Sequence, residues 1–92
     1  MRKFIVERDM PKVGTLARKQ LQEAVLKSHE VLRLLGPDIQ WLESSVAANK
    51  LFCVYLAVDE ALIYRHAELS GFPATRVTEI HQVIDPSFAV YA

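Results

Sequence analysis

The side chains best placed for chemistry in this sequence are a glutamate and a histidine two positions apart, Glu79 and His81. On a β-strand, residues two apart point to the same face about 7 Å from one another, so a carboxylate and an imidazole could converge on one ion. Such oxygen and nitrogen donors suit nickel, zinc and other borderline divalent metals. The alternative is a solvated strand edge, which the spacing alone slightly favours.

Other histidines and the single cysteine are weaker candidates. His66 follows Leu62 and Ile63 at helical spacing, which favours a partly buried, hydrogen-bonded side chain over a ligand or proton-transfer group. Cys53 has no second cysteine to pair with and is most simply a small buried hydrophobic residue. His29 lies among charged residues and is predicted to be exposed.

Several function classes lack support in the sequence. It contains no glycine-rich phosphate loop, no H-E-x-x-H motif and no nucleophile elbow. These absences favour a non-catalytic protein over an enzyme. The 11 basic and 11 acidic residues cancel, and aromatic residues do not alternate with a basic patch, so nucleic-acid binding is not predicted. The single cysteine and the absence of a signal-peptide pattern predict a cytoplasmic protein. The absence of a long apolar run predicts that the chain does not span a membrane.

The elements that must position these residues follow from periodicity and turn residues. Thr15 and Asp59 are predicted N-caps, while Gly36 and Gly71 are predicted to end the two helices. The predicted order is a strand over 3–8, a helix over 16–35, strands over 39–46 and 51–58, a helix between 59 and 71, and a strand over 76–84.

This order predicts an α+β fold of the ferredoxin-like β-α-β-β-α-β type. With right-handed crossovers, the four strands form one antiparallel sheet of order 4-1-3-2, and both helices lie on one face. The 92 residues are predicted to form a single domain, with a core over about 3–86 and a tail over 87–92.

The third strand predicts how the domain associates. Residues 51–57 are largely apolar on both sides, whereas a strand with one solvent-exposed face should alternate apolar and polar residues. Two helices can cover one face only, so we expect the open face to pack on a second copy, as in dimeric α+β barrels. The alternative is a cover formed by the tail residues Phe88, Val90 and Tyr91.

The open face is also predicted to carry polar groups. If Phe4 and Val6 face the helices, then Ile5 and Glu7 face the other way. With the register of each strand inferred from its pattern, six candidate residues surround a partly polar interior: Glu7, Glu43, Cys53, Tyr55, Glu79 and His81.

Five segments are distinctive in combination: VERD at 6–9, GPDIQW at 36–41, LFCVYLA at 51–57, GFPATR at 71–76 and VIDP at 83–86. The most specific of them are GPDIQW and GFPATR. Together they resemble one family of small bacterial ferredoxin-like domains, some of which are described as nickel-binding proteins. The resemblance covers nearly the whole chain.

The resemblance implies homodimers with a ferredoxin-like fold and a divalent metal site. The positions that match the family and could act as ligands are Glu7, Asp9, Cys53, Tyr55, Glu60, His66 and Glu79. Position 43 is commonly histidine in the family but is Glu43 here, and His81 is an additional histidine. Glu43 would still donate oxygen, but it would soften a preference for nickel.

These observations predict a small metal-binding protein, with nickel or another divalent transition metal held for storage, buffering or sensing. The candidate ligands are His66, Glu79, His81, Glu7, Glu43, Cys53 and Asp9. A second hypothesis is a small-molecule binder or enzyme of the dimeric α+β barrel kind, with Tyr55, Cys53, His66 and Glu79 lining a pocket. A third is an oligomeric interaction module without a ligand.

Overall fold

The computed structural model describes residues 1–89, which form one four-stranded sheet and two α-helices. The elements are β1 (Arg2–Asp9), α1 (Arg18–Leu35), β2 (Ile39–Val46), β3 (Lys50–Ala57), α2 (Glu60–Ser70) and β4 (Arg76–Ile80). Short 3₁₀ turns cover Val13–Thr15 and Pro86–Phe88. The strand order is β2-β3-β1-β4 with every pair antiparallel, which confirms the predicted topology.

The first helix begins later than the sequence predicts. Thr15 ends the 3₁₀ turn, and its hydroxyl donates to the carbonyl of Lys12 at 2.7 Å. The residue before α1 is Ala17, whose backbone N–H donates to the side-chain oxygen of Gln20 at 2.9 Å. The prediction of Thr15 as the N-cap is therefore wrong, because the chain inserts an extra turn before the helix starts.

The other predicted helix boundaries are confirmed. The carboxylate of Asp59 accepts a hydrogen bond from the backbone N–H of Leu62 at 3.2 Å, which is N-cap geometry. Gly36 and Gly71 end the two helices with φ of 83° and 78°, a region that glycine adopts without steric cost. These local signals were sufficient because each end depends on residues adjacent in sequence.

The fourth strand is shorter than predicted, ending at Ile80 rather than at residue 84. Ile80 pairs with Lys3, which is the second residue of β1. Residues after Ile80 therefore have almost no part of β1 left to pair with. His81 consequently lies outside the strand. Beyond it, Ile84 and Phe88 are exposed, so Phe88 does not cover the sheet. The other residues of that predicted cover, 90 and 91, lie outside the described residues.

The core lies between the sheet and the helices. Directly paired residues of an antiparallel sheet point to the same face. The pairs are Val6 with Cys53 and Val77, and Phe4 with Tyr55 and Glu79. Because Phe4 and Val6 are completely buried with Ile63 of α2, their partners share the helix-covered face. The expected placement of Cys53, Tyr55 and Glu79 on the open face is therefore wrong.

The open face has an apolar centre and a polar edge. Its centre consists of Ile5 on β1 and Phe52, Val54 and Leu56 on β3, all only partly exposed. Around them lie Lys3, Glu7, Gln40, Glu43, Ser45, Arg76 and Thr78. Glu43 reaches this face because the pairing register shifts between Trp41 and Glu43.

A close backbone contact joins the 3₁₀ turn to the β2–β3 hairpin, and Gly14 makes it possible. Its N–H donates to the carbonyl of Ala48 at 3.0 Å. A Cβ at this position would lie 2.7 Å from the carbonyl oxygen of Ala47 and 2.8 Å from the Cα of Ala48. Both neighbours are backbone atoms, so neither can move aside cheaply.

We therefore expect Gly14→Ala to lower the free energy of unfolding by about 1–3 kcal/mol, the usual cost of overpacking. Urea denaturation followed by circular dichroism measures this. Arg18→Ala, an exposed change at the start of α1, should stay within about 0.5 kcal/mol of the unmodified protein. Equal stability of the two variants would show that the hairpin and the turn are not in close contact.

Candidate functional site

The helix-covered side of the sheet contains a cavity of about 220 Å³ beneath α1. Its walls are mostly apolar. They are formed by Arg8, Met10, Val13, Leu16, Leu21, Ala24, Val25, Ser28, Trp41, Ser44, Val46, Leu51, Cys53, Tyr55 and Phe72. A largely apolar concave site with a few polar groups is typical of small-ligand sites in proteins.

The charged group of this cavity is Arg8, which is only 1% exposed. Its Nη1 donates to the carbonyls of Phe72 at 3.1 Å and Pro73 at 3.0 Å, and its Nη2 donates to the hydroxyl of Tyr55 at 3.1 Å. Within residues 1–89, no carboxylate lies within salt-bridge distance of the guanidinium. Arg8 is thus a buried cation that is hydrogen-bonded but not neutralised.

His66 lies behind the cavity wall and is also 1% exposed. Its Nε2 and the Oγ of Ser28 are hydrogen-bonded at 3.1 Å, and its ring lies 5.4 Å from that of Tyr55. Its Nδ1 has no partner among the described residues. Burial, reinforced by the nearby charge of Arg8, lowers the pKa of His66 to about 4. The predicted buried, hydrogen-bonded histidine is confirmed, and it is neutral near pH 7.

Cys53 and Tyr55 line the same cavity from β3 and are both buried. Burial raises the pKa of Tyr55, although the adjacent Arg8 acts in the opposite direction. Cys53 packs in the core as a small apolar side chain, as its sequence context favours. The two residues therefore add one hydroxyl and one thiol to an otherwise apolar wall.

Glu79 and His81 do not form the arrangement expected of two residues on one strand. Both carboxylate oxygens of Glu79 accept hydrogen bonds from Arg2, from Nη2 at 2.8 Å and from Nε at 3.1 Å. These bonds lower the pKa of Glu79. His81 is exposed beyond the end of β4. Glu79 is thus engaged with a cation, and the strand that would align His81 with it has ended.

The remaining acidic candidates lie at the other end of β1 and on β2. The Nζ of Lys50 is 3.8 Å from an oxygen of Glu7 and 3.6 Å from one of Asp9. Glu7 also lies 4.0 Å from the Nε of Arg76. Glu43 is exposed on the open face, opposite Val54. These carboxylates lie on the outside of the subunit, separated by the sheet from His66 and Cys53.

The predicted metal ligands therefore do not come together within one subunit. Across residues 1–89, no three side chains of histidine, cysteine, aspartate or glutamate cluster as a metal site would require. The buried nitrogen of His66 has Arg8 as a neighbour, whose charge would repel a cation. The donors present do not fit a metal centre built from a single chain.

The buried role of Arg8 was not predicted from the sequence, because only the flanking Glu7 and Asp9 were named as candidate ligands. The signal was available in the strand alternation, because Phe4, Val6 and Arg8 occupy every second position. Once Phe4 and Val6 are assigned to the core, Arg8 must point to the same side.

Comparison with known families agrees with this fold. The family model described as nickel responsive protein SCO4226-like matches residues 4–80. The chain belongs to this family. The match spans most of the sequence, including the segments at 36–41 and 71–76. It therefore confirms the family resemblance that these segments indicated.

A solved member supports the architecture. The crystal structure of SCO4226 from Streptomyces coelicolor A3(2) is similar with a TM-score of 0.73 at 15% sequence identity, covering 89% of this chain and 99% of that one. At this identity the similarity establishes the SCO4226-like fold and not a shared ligand. No curated protein matches the chain. The part of the chain described here, residues 1–89, contains no helix of the length and apolarity that a bilayer crossing requires.

Proposed function

We propose that this SCO4226-like protein is a non-catalytic homodimer that binds a divalent metal ion, with nickel favoured, for storage, buffering or sensing. The observation that carries the proposal is membership of a nickel-responsive family over residues 4–80. Because the donors of one subunit do not cluster, the proposed site uses donors from both subunits.

The open face supports the homodimer. Its four central apolar residues lie together on the two middle strands, and charged residues of both signs surround them. An apolar centre with a polar rim is typical of protein interfaces, and a specific interface buries about 800 Å² per partner. The sheet offers such a face on the side that α1 and α2 leave uncovered.

The same face carries the accessible acidic donors. Glu7 on β1 and Glu43 on β2 both point to it and are separated by β3. A two-fold dimer through the open face would bring a second copy of each carboxylate to the interface. Carboxylates alone suit harder cations than nickel, so a preference for nickel requires a nitrogen donor. The exposed His81 is the proposed source of that donor.

Isothermal titration of Ni²⁺ into metal-free protein without a histidine tag tests the proposal. We expect saturable binding that Glu43→Gln and His81→Gln each weaken at least about tenfold. Glu30→Gln, an exposed change on α1, is the matched control and should bind as the unmodified protein does. His66→Ala should also retain binding, because His66 lies on the opposite side of the sheet.

Two results would contradict the proposal. An absence of saturable Ni²⁺ binding by the dimer would exclude a nickel-binding function. Loss of binding in His66→Ala, with Glu43→Gln unaffected, would move the site from the interface to the interior.

A further inference from the structure

The cavity beneath α1 contains a charge that nothing in the metal-binding proposal uses. Arg8 is part of its lining and is hydrogen-bonded to Tyr55 and to two backbone carbonyls. The carbonyl and hydroxyl oxygens are neutral acceptors, so they solvate the guanidinium without cancelling its charge. Buried charges in proteins are ordinarily paired with an opposite charge, because an unpaired charge is costly to remove from water.

The other polar groups around the cavity do not supply a negative charge. His66 is neutral near pH 7, and Tyr55 is a phenol whose pKa is raised by burial. Ser28 and Ser44 contribute hydroxyls only. The cavity therefore combines one cation with neutral donors and acceptors and with apolar walls, and its electrostatic complement is a monoanion.

The guanidinium also retains hydrogen-bonding capacity. An arginine side chain has five N–H donors in a planar fork that matches a carboxylate. The hydrogen bonds to Phe72, Pro73 and Tyr55 use three of them. The remaining donors, with the Tyr55 hydroxyl beside them, could hold both oxygens of one carboxylate.

We propose that this cavity is a binding site for a small organic acid, whose carboxylate pairs with Arg8 and Tyr55 and whose apolar body lies between α1 and the sheet. The walls that would contact that body include Leu21, Ala24 and Val25 of α1. This site is independent of the proposed metal site, because it lies on the other side of the sheet.

The volume sets the size of the acid. A water molecule occupies about 30 Å³ of the liquid, and a cavity of about 150 Å³ holds benzene. The 220 Å³ here suits a ligand of about eight non-hydrogen atoms, the size of hexanoate. A long-chain fatty acid or a nucleotide would exceed it.

The decisive experiment compares three probes on the unmodified protein by nuclear magnetic resonance titration. Hexanoate has the charge and the apolar body, hexanamide has the body without the charge, and acetate has the charge without the body. We expect hexanoate to bind about ten- to a hundredfold more tightly than hexanamide, the factor that a charge-assisted hydrogen bond provides. Acetate should bind more weakly than hexanoate for lack of apolar contact. Equal binding of hexanoate and hexanamide would overturn the proposal.

Two variants locate the site. Ala24→Leu fills the cavity from α1 and should weaken hexanoate binding at least about tenfold, whereas Ala61→Leu on the exposed side of α2 should leave it unchanged. Arg8→Met should abolish the preference for hexanoate over hexanamide, while Arg65→Met, which removes an exposed arginine, should preserve it. Hexanoate binding that survives Ala24→Leu would place the ligand elsewhere and refute this site. The comparison of probes on unmodified protein remains decisive if Arg8→Met does not fold.

Discussion

Replacing Val54 by lysine is expected to convert the proposed dimer into monomers. Val54 lies at the centre of the open face, between Glu43 of β2 and Ile5 of β1. In a two-fold interface each subunit would bury one added ammonium group, and its cross-strand neighbour Glu43 is already assigned to the proposed metal site. Such a burial costs several kcal/mol per charge, so the dissociation constant should rise by at least about a thousandfold.

Analytical ultracentrifugation at micromolar concentration measures the change. Thr78→Lys is the matched control, because Thr78 is exposed on the same face but lies on the edge strand β4, outside the apolar centre. It should sediment as the unmodified protein does. A monomeric unmodified protein would contradict the dimer, and a dimeric Val54→Lys variant would move the interface to another surface.

Acidification from pH 7 to pH 4.5 is expected to cost the folded protein about 2 kcal/mol through His66 alone. The pKa of His66 is about 4 in the folded state, against an ordinary value of 6.5 in the unfolded chain. Well above pH 6.5 the ring is neutral in both states, and this group causes no loss of stability. As the pH falls from 6.5 towards 4, the unfolded chain takes up the proton first, so the free energy of unfolding decreases.

Urea denaturation at several pH values between 7.5 and 4.5 tests this linkage. In His66→Gln the side chain cannot be protonated. The free energy of unfolding of this variant should therefore fall less over this pH range than that of the unmodified protein. His81→Gln removes an exposed histidine and should retain the full decrease. A pH profile that is identical in His66→Gln and the unmodified protein would show that His66 is not held neutral by the fold.

Much of the architecture was predictable from residues close together in sequence. Helical spacing, the Asp59 cap and the glycines at 36 and 71 predict the helices and three of their ends correctly, because those ends depend on local hydrogen bonds and backbone angles. The start of α1 was not predictable in this way. There the 3₁₀ turn containing Gly14 packs against a hairpin more than 30 positions away.

The candidate site was harder to predict, because strand faces depend on pairing. Strand β3 is apolar on both sides, so its sequence does not indicate which residues face the helices. The register with β1 assigns Cys53 and Tyr55 to the core, and the shift after Trp41 assigns Glu43 to the open face. These assignments separate candidate ligands that the inferred strand registers had placed together.

The sequence by itself determined the order of elements and the excess of apolar surface on the third strand, because both follow from local periodicity. It also determined the sheet topology, because right-handed crossovers leave one arrangement for that order of elements. Only the tertiary structure decided that Arg8 donates to Tyr55 and that Glu79 is paired with Arg2. The physical reason is that a charge acquires its environment from partners distant in sequence. Here those partners are 47 to 77 positions away.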